Sequence, residues 1–305
     1  MPQSSKSQQQ PTPQLGNLLL VAILLAFDSM HFIFARLMLD HISPGVSVMY
    51  VLGVSTIEVG IFAVYNKKIN VTVFRKNIWF FAAIGFLIAA STNINYEAVA
   101  FIDPGTASLL SQTSVIFGLG FGLLWLNDQF TIKQLAGAFL AIIGVFLVSF
   151  QPGDYIRLGS LLVIGSSGMY ALHAAITKQH GAQLDFVNFF FFRLLSTTGF
   201  LFVFAAGRQS LALPSRTAWF YILLTATVDV ALSRALYYMA LRRLSISTLT
   251  ISLTLSPIAS NTWAFLLFGS IPGVLQILGG LGIITGVYIV TNRRSKKEKV
   301  LQPVG

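Results

Sequence analysis

The feature that most constrains this chain is a series of apolar runs, each about as long as a helix needs to cross a membrane and each bounded by a short polar break. A helix takes roughly 20 apolar residues to cross the hydrocarbon layer. Ten such runs can be read, near residues 16–38, 44–65, 77–100, 104–126, 131–150, 158–178, 186–206, 217–241, 245–268 and 272–291. Composition agrees: 55% of residues are hydrophobic and 10% charged, where soluble domains carry about a quarter charged. No soluble core absorbs that much apolar surface, so the expected fold class is an all-α membrane protein with ten transmembrane helices.

Several breaks have local causes. Ser43-Pro44-Gly45, Asp103-Pro104-Gly105 and Gln151-Pro152-Gly153 favour turns, since proline lacks a donor and glycine admits unusual dihedrals. Residues 1–15, rich in Gln, Ser and Pro, read as a disordered tail rather than a cleaved signal peptide. The absence of cysteine excludes disulfides, thiolate metal sites and thiol redox chemistry. A net charge of +10 raises the question of a nucleic-acid partner, but membrane topology accounts for it better. If both termini and the even-numbered loops share one face, that face holds fourteen of the 20 Lys and Arg residues, among them Lys67, Lys68, Arg75, Lys76, Arg242, Arg243 and the basic tail 292–305. The opposite face holds four: Arg36, Arg157, Arg208 and Arg216. Cytoplasmic loops are enriched in Lys and Arg, which predicts a multi-pass protein of the cell (inner) membrane with both termini cytoplasmic.

A shift of 142 residues aligns Tyr96 with Tyr238, Thr106 with Thr248, Ser114 with Ser256, Gln134 with Gln276, Gly137 with Gly279 and Gly144 with Gly286. Positions 96–148 give 12 ungapped identities at this offset, where shared composition alone would give roughly four. The same shift superposes His31 on His173 and Arg36 on Lys178. The chain therefore divides into a first five-helix repeat over 16–150 and a second over 151–291. Five is odd, so the second copy enters the bilayer from the opposite face. Such inverted repeats enclose a midplane site in transporters, and rocking one against the other exposes that site alternately to each side.

The segments QLAGAFLAIIGVFLV (134–148) and QILGGLGIITGVYIV (276–290), with Tyr238-Met239-Ala240-Leu241 and Leu255-Ser256-Pro257-Ile258, resemble the paired repeats of the EamA-like family of the drug/metabolite transporter superfamily. The resemblance covers roughly residues 16–291. It implies a carrier of the kind that includes amino-acid and metabolite exporters and is related to nucleotide-sugar transporters, with substrate held among helices 1, 3, 4, 6, 8 and 9. Arg193 in FFFFRLL looks like the arginine found early in the second helix of a family repeat. The first half has Val51 there, and Ser114-Val115 where the second half has Ser256-Pro257, so the halves depart from functional symmetry.

Charges inside a bilayer cost from about 2.5 kcal/mol upward and normally face a cavity or a partner. Asp28 and His31, three apart, would share one face of the first helix, where they could share a proton, bind a substrate ammonium or satisfy each other. His173 occupies the equivalent place on the sixth helix and reads equally as a packing residue. Asp229 and Arg234, five apart, are rotated about 140° from each other on an α-helix, so cross-helix partners are expected for both. Arg193 could hold a substrate carboxylate or clamp helix ends. Glu58 and Glu97 could bind cations or couple protons. Asn93, Asn95, Tyr96, Gln112, Tyr237, Tyr238, Thr250 and Thr254 are candidate lining residues. The recurring glycines fit helix packing or a homodimer contact.

The set predicts a secondary transporter or exporter of a small polar metabolite, an amino acid or related compound, working by alternating access. A nucleotide-sugar-like or other organic-anion exchanger is the alternative within transport; a membrane scaffold or an intramembrane enzyme is the alternative outside it. Proton coupling through Asp28, His31 or Asp229 and uncoupled facilitated diffusion both fit. No G-x-x-x-x-G-K-[ST] sequence occurs, so the chain lacks the phosphate loop of an ATP-driven pump. Neither a cofactor nor a catalytic or metal-binding set is expected, and small-molecule substrate and lipid are the expected partners.

Overall fold

A computed structural model describes residues 15–125, 131–149, 158–181, 183–243, 253 and 255–291. The break at 151–153, both tails outside 15–291, Thr250, Thr254 and most of the ninth run before 255 fall outside these residues, as does the side chain of Tyr238. The described residues form helices α1 (Leu15–Asp28), α2 (His31–Met38), α3 (Pro44–Tyr65), α4 (Val71–Lys76), α5 (Ile78–Ala98), α6 (Pro104–Ser111) and α7 (Thr113–Leu124) in the first half. There follow α8 (Ile132–Ser149), α9 (Leu158–His180), α10 (Phe186–Gly207), α11 (Arg216–Thr225), a π-helical segment (Ala226–Leu232), α12 (Ser233–Arg243), α13 (Ser256–Phe268) and α14 (Val274–Thr291). Among the described residues, seven stretches are long and apolar enough to cross a membrane, and the apolar helices Ile132–Val148 and Val274–Val290 are shorter.

The starts of several helices follow from their sequences. Pro44 opens α3 and Pro104 opens α6, each in the first turn, where a missing amide hydrogen costs nothing. Asp103 caps α6 by accepting from Thr106 N at 2.9 Å. Asp185 does the same for α10, accepting from Val187 N at 3.1 Å and Asn188 N at 3.2 Å. Gly269, at φ 65°, ends α13 in the left-handed region that glycine enters without strain.

The 142-residue offset recurs in the helix bounds. Pro44–Tyr65 maps onto Phe186–Gly207, Ile132–Ser149 onto Val274–Thr291, and the first span, Gly16–Met38, onto Leu158–His180. It recurs in the contacts too. Thr56 and Thr198, equivalent at this offset, hydrogen-bond to each other through their hydroxyls at 2.9 Å. A residue that touches its own counterpart lies on the axis relating the two halves, as in a two-fold interface.

Helices α8 and α14 form the most intimate seam between the halves. A Cβ at Gly137 would sit 2.8 Å from the Gly286 carbonyl, and one at Gly279 would sit 2.6 Å from the Gly144 carbonyl. Each glycine thus meets the counterpart of the residue that its own counterpart meets. Only glycine lets the backbones approach this closely, so of the two roles expected for the recurring glycines, close helix packing within the chain is realised. Large apolar side chains such as Phe139, Phe146, Ile61, Phe202 and Leu278 point outward, as lipid contact requires.

Candidate functional site

Three spans are interrupted near their middles, and all three interruptions face one cavity. The first span breaks at Ser29–Met30 between α1 and α2, the fourth at Gln112 between α6 and α7, and the eighth passes through the π-helical segment Ala226–Leu232. Backbone that leaves α-helical pairing at membrane depth persists only where it is buried in protein or lines a polar space. The space here is a cavity of about 790 Å³, within the range of small-molecule sites. Residues of α1, α2, α5, α6, α7, α9, the π-helical segment, α12 and α13 line it, and α10 adds Phe189, Phe190 and Arg193, with Leu52 from α3.

Charges of both signs converge on it. His31 Nδ1 lies 2.9 Å from Asp229 Oδ2, linking the first span to the eighth. Arg234 Nη2 stands 3.9 Å from Asp28 Oδ1, a loose ion pair, and the Ser233 hydroxyl donates to the same carboxylate oxygen at 3.5 Å. Asp28 and His31 therefore do not satisfy each other: the break at Ser29–Met30 separates them, and each turns to a partner on the eighth span. The π-helical segment closes i→i+5 rings and so takes more residues per turn than an α-helix. Asp229 within it and Arg234 just beyond it each take a partner from another helix, His31 and Asp28. Both side chains line the cavity.

Arg193 lies over the Phe190 ring at 5.1 Å and the Phe189 ring at 6.0 Å, within cation–π range. His173 is 5% exposed, lines the cavity, and has no well-formed hydrogen bond at either ring nitrogen; its ring tilts against Tyr170 at 5.3 Å. Gln112 and Tyr237 line the cavity as well.

Four candidates, Tyr96, Asn93, Glu97 and Glu58, lie elsewhere. Tyr96 is fully buried behind the cavity wall, edge-on to His31 with ring centroids 5.6 Å apart, because the phenol fills a packed layer rather than facing space. Asn93 lines a separate pocket of about 210 Å³ with Ser43, Glu97 and Arg208, and its amide donates to Glu97 Oε1 at 3.0 Å. Glu58 is off the cavity too, accepting from the Thr227 hydroxyl of the π-helical segment at 2.8 Å.

The two ends of the bundle differ. At the end carrying the small pocket, Arg208 pairs with Glu97, Arg36 donates to the Val99 carbonyl, and Gln276 Nε2 donates to Thr106 Oγ1 at 3.0 Å. These bonds join α2 and α10 to the end of α5, and α14 to α6. At the other end the central cavity extends to Thr177, exposed Lys178 and Phe186 at the turn between α9 and α10.

His173 is one member of a polar stripe on α9 whose other members, Ser166, Tyr170 and Thr177, are not among the sequence candidates. Ser166, Tyr170, His173 and Thr177 follow at intervals of four, three and four, which is one helical face, and all line the cavity. Ser91 and Asn95 repeat the pattern on α5, where the Ser166 hydroxyl donates to Asn95 Oδ1. The spacing was the available signal.

The sequence profile of the EamA-like transporter family matches residues 15–150 and again 157–292, two segments offset by the same 142 residues. Among curated proteins, the chain is 25% identical over 208 residues to the uncharacterised transporter YdfC of Bacillus subtilis, covering 64% of this chain and 66% of that protein. It is 25% identical over 199 residues to a probable terminal-alkyne amino-acid exporter of Streptantibioticus cattleyicolor, covering 63% of this chain and 65% of that one. The chain thus spans just under two thirds of the length of these relatives. A crystal structure of another protein superposes with a TM-score of 0.64 at 14% identity, over 94% of this chain and the whole of the other, which shows a shared fold. With both halves matched in full, the chain is an all-helical, multi-pass membrane protein that belongs to the EamA-like transporter family.

Proposed function

We propose that the chain is a ten-span secondary transporter, five spans per repeat in opposite orientations, that moves a small polar metabolite by alternating access. The substrate class is an amino acid or a related zwitterion. Both termini face the cytoplasm across the cell membrane, the side richer in Lys and Arg.

One observation carries this reading: a cavity of about 790 Å³ built at three helix breaks and lined by the carboxylates of Asp28 and Asp229 together with the guanidinium groups of Arg193 and Arg234. Such charges are costly in a bilayer and are kept where they meet a polar ligand or its coupling ion. A ligand with an ammonium and a carboxylate complements both signs. At 3.9 Å, Asp28 and Arg234 are only loosely paired, so each can turn to a ligand group of the opposite sign. In this reading the bonds of Glu97, Arg36 and Gln276 close the outer end, and the cavity opens inward beside Lys178.

The test is counterflow of a labelled amino-acid panel in proteoliposomes. At least one member accumulates with the wild-type protein, and Asp229→Asn lowers the signal about thirtyfold while preserving folded protein. A panel with no carried member, or flux indifferent to Asp229→Asn, refutes the reading. A pH-clamped version separates a proton-coupled carrier from a facilitator: coupled flux follows the imposed gradient.

A further inference from the structure

The α9 wall of the central cavity holds polar groups that the protein itself does not answer. His173 is 5% exposed with no well-formed hydrogen bond at either ring nitrogen, only the Tyr170 backbone one turn back coming near the ring, and Thr177, one turn further along the same face, has a buried hydroxyl with no hydrogen-bond partner. Buried polar atoms are almost always paired, and a native exception calls for a ligand, an ion or a water to complete it. Both side chains line the cavity, as do the Arg193 guanidinium from α10 and the Lys178 side chain at the rim. The carboxylates Asp28 and Asp229 come from the first and eighth spans instead.

We propose that this wall is an oxyanion subsite, in which His173 and Thr177 donate hydrogen bonds to a carboxylate or phosphate group of the transported molecule while Arg193 and Lys178 supply the opposing charge. The chemistry of the donors fits. A neutral imidazole offers one N–H, a threonine hydroxyl offers one O–H, and a guanidinium offers a planar fork matched to two oxygens. The second imidazole nitrogen then accepts, from water or from an N–H of the same ligand. The helical spacing of four aims His173 and Thr177 along one line, so a single oxyanion reaches both. The subsite deepens the transport reading and rests on the cavity being the substrate's path.

Ring 15N resonances of the full-length protein in lipid nanodiscs test it directly. The chain has four histidines, and His173→Gln identifies the signals of His173. Sodium acetate, inorganic phosphate and methylammonium chloride are titrated separately. A saturable shift of the His173 signals with acetate assigns a carboxylate subsite, and one with phosphate assigns a phosphate subsite. Thr177→Val weakens that response about fivefold, as expected for one lost hydrogen bond, while the His31 signals stay in place and report an intact fold. His173 signals that ignore both oxyanions, or that move equally with methylammonium chloride, overturn the proposal. The readout needs no transport. A protein that binds acetate here but carries no amino acid keeps the subsite and loses the transport reading, and flux without any oxyanion response does the opposite.

Discussion

The seam between the two halves and the cavity between them are built from the same pair of repeats, yet one obeys the repeat and the other departs from it. At the seam, Gly137 meets Gly286 and Gly279 meets Gly144, and Thr56 bonds its own counterpart Thr198. Around the cavity the 142-residue shift pairs Asp28 with Tyr170, Asp229 with Leu87, Arg234 with Thr92 and Arg193 with Val51. Even the retained pair differs in role: His31 is bonded to the Asp229 carboxylate, whereas His173 has no well-formed hydrogen bond at either ring nitrogen. The difference teaches that duplication supplies the architecture, while the chemistry comes from positions where the copies have diverged.

The largest expected effect is at the seam. Gly137→Leu and Gly279→Leu, at equivalent positions of the two repeats, each force a branched side chain against backbone that a Cβ alone would meet at 2.8 Å and 2.6 Å. Both variants should fail to yield monodisperse protein by size-exclusion chromatography, and to the same degree. A tolerated substitution at one glycine and not the other would break the symmetry argued for the seam.

Next comes the cavity, where equivalent positions should behave unequally. Asp229→Asn weakens a charge-assisted bond to His31, a type worth about 1.5–3 kcal/mol, and should lower proteoliposome flux about thirtyfold. Leu87→Ala, at the matching position of the first half, should change flux less than about threefold. Equal losses would contradict the divergence of the two copies.

The hydroxyl pair on the axis gives a smaller and sharper test. Thr56→Val and Thr198→Val each remove the same shared bond, so each should lower thermal stability by about 1 kcal/mol. The double variant should lose less than the sum of the two, since one interaction is removed once. Strict additivity would show that the two hydroxyls do not depend on each other.

The smallest effect is at the sealed end. Arg208 and Glu97 form a pair whose side chains are 60% and 31% exposed, and such partly solvated pairs contribute about 0–1 kcal/mol. Arg208→Gln should leave the melting temperature within a degree or two and shift flux less than about threefold. A large loss would move the weight of the account from the cavity to this end.

The architecture was largely legible because the repeat writes itself into the sequence: the offset found from Tyr96, Gln134 and Gly144 is the offset of the helix bounds. Charged cavity residues were legible for a related reason, since an Asp, His or Arg inside an apolar run stands out against its neighbours. What stayed hidden was their pairing. His31 and Asp229 are 198 residues apart, and no local pattern announces such a contact. The π-helical segment ATVDVAL contains neither glycine nor proline, so nothing in its sequence signals the change of helix type beside Asp229. Tyr96 misled for the opposite reason, because a phenol suits a packed layer as readily as a cavity wall.

The most direct test of the account is whether the cavity is the substrate's path, and the absence of cysteine makes it practical. Asn95→Cys and Ser111→Cys place single thiols on the cavity wall, and Leu213→Cys places one at a position 91% exposed outside it. Labelling of each is followed with a hydrophilic maleimide, with and without the amino acid that shows the highest flux. The account predicts that this amino acid slows labelling at Asn95→Cys and Ser111→Cys several-fold and leaves Leu213→Cys unchanged. Identical labelling rates at the two cavity positions with and without it would contradict the account.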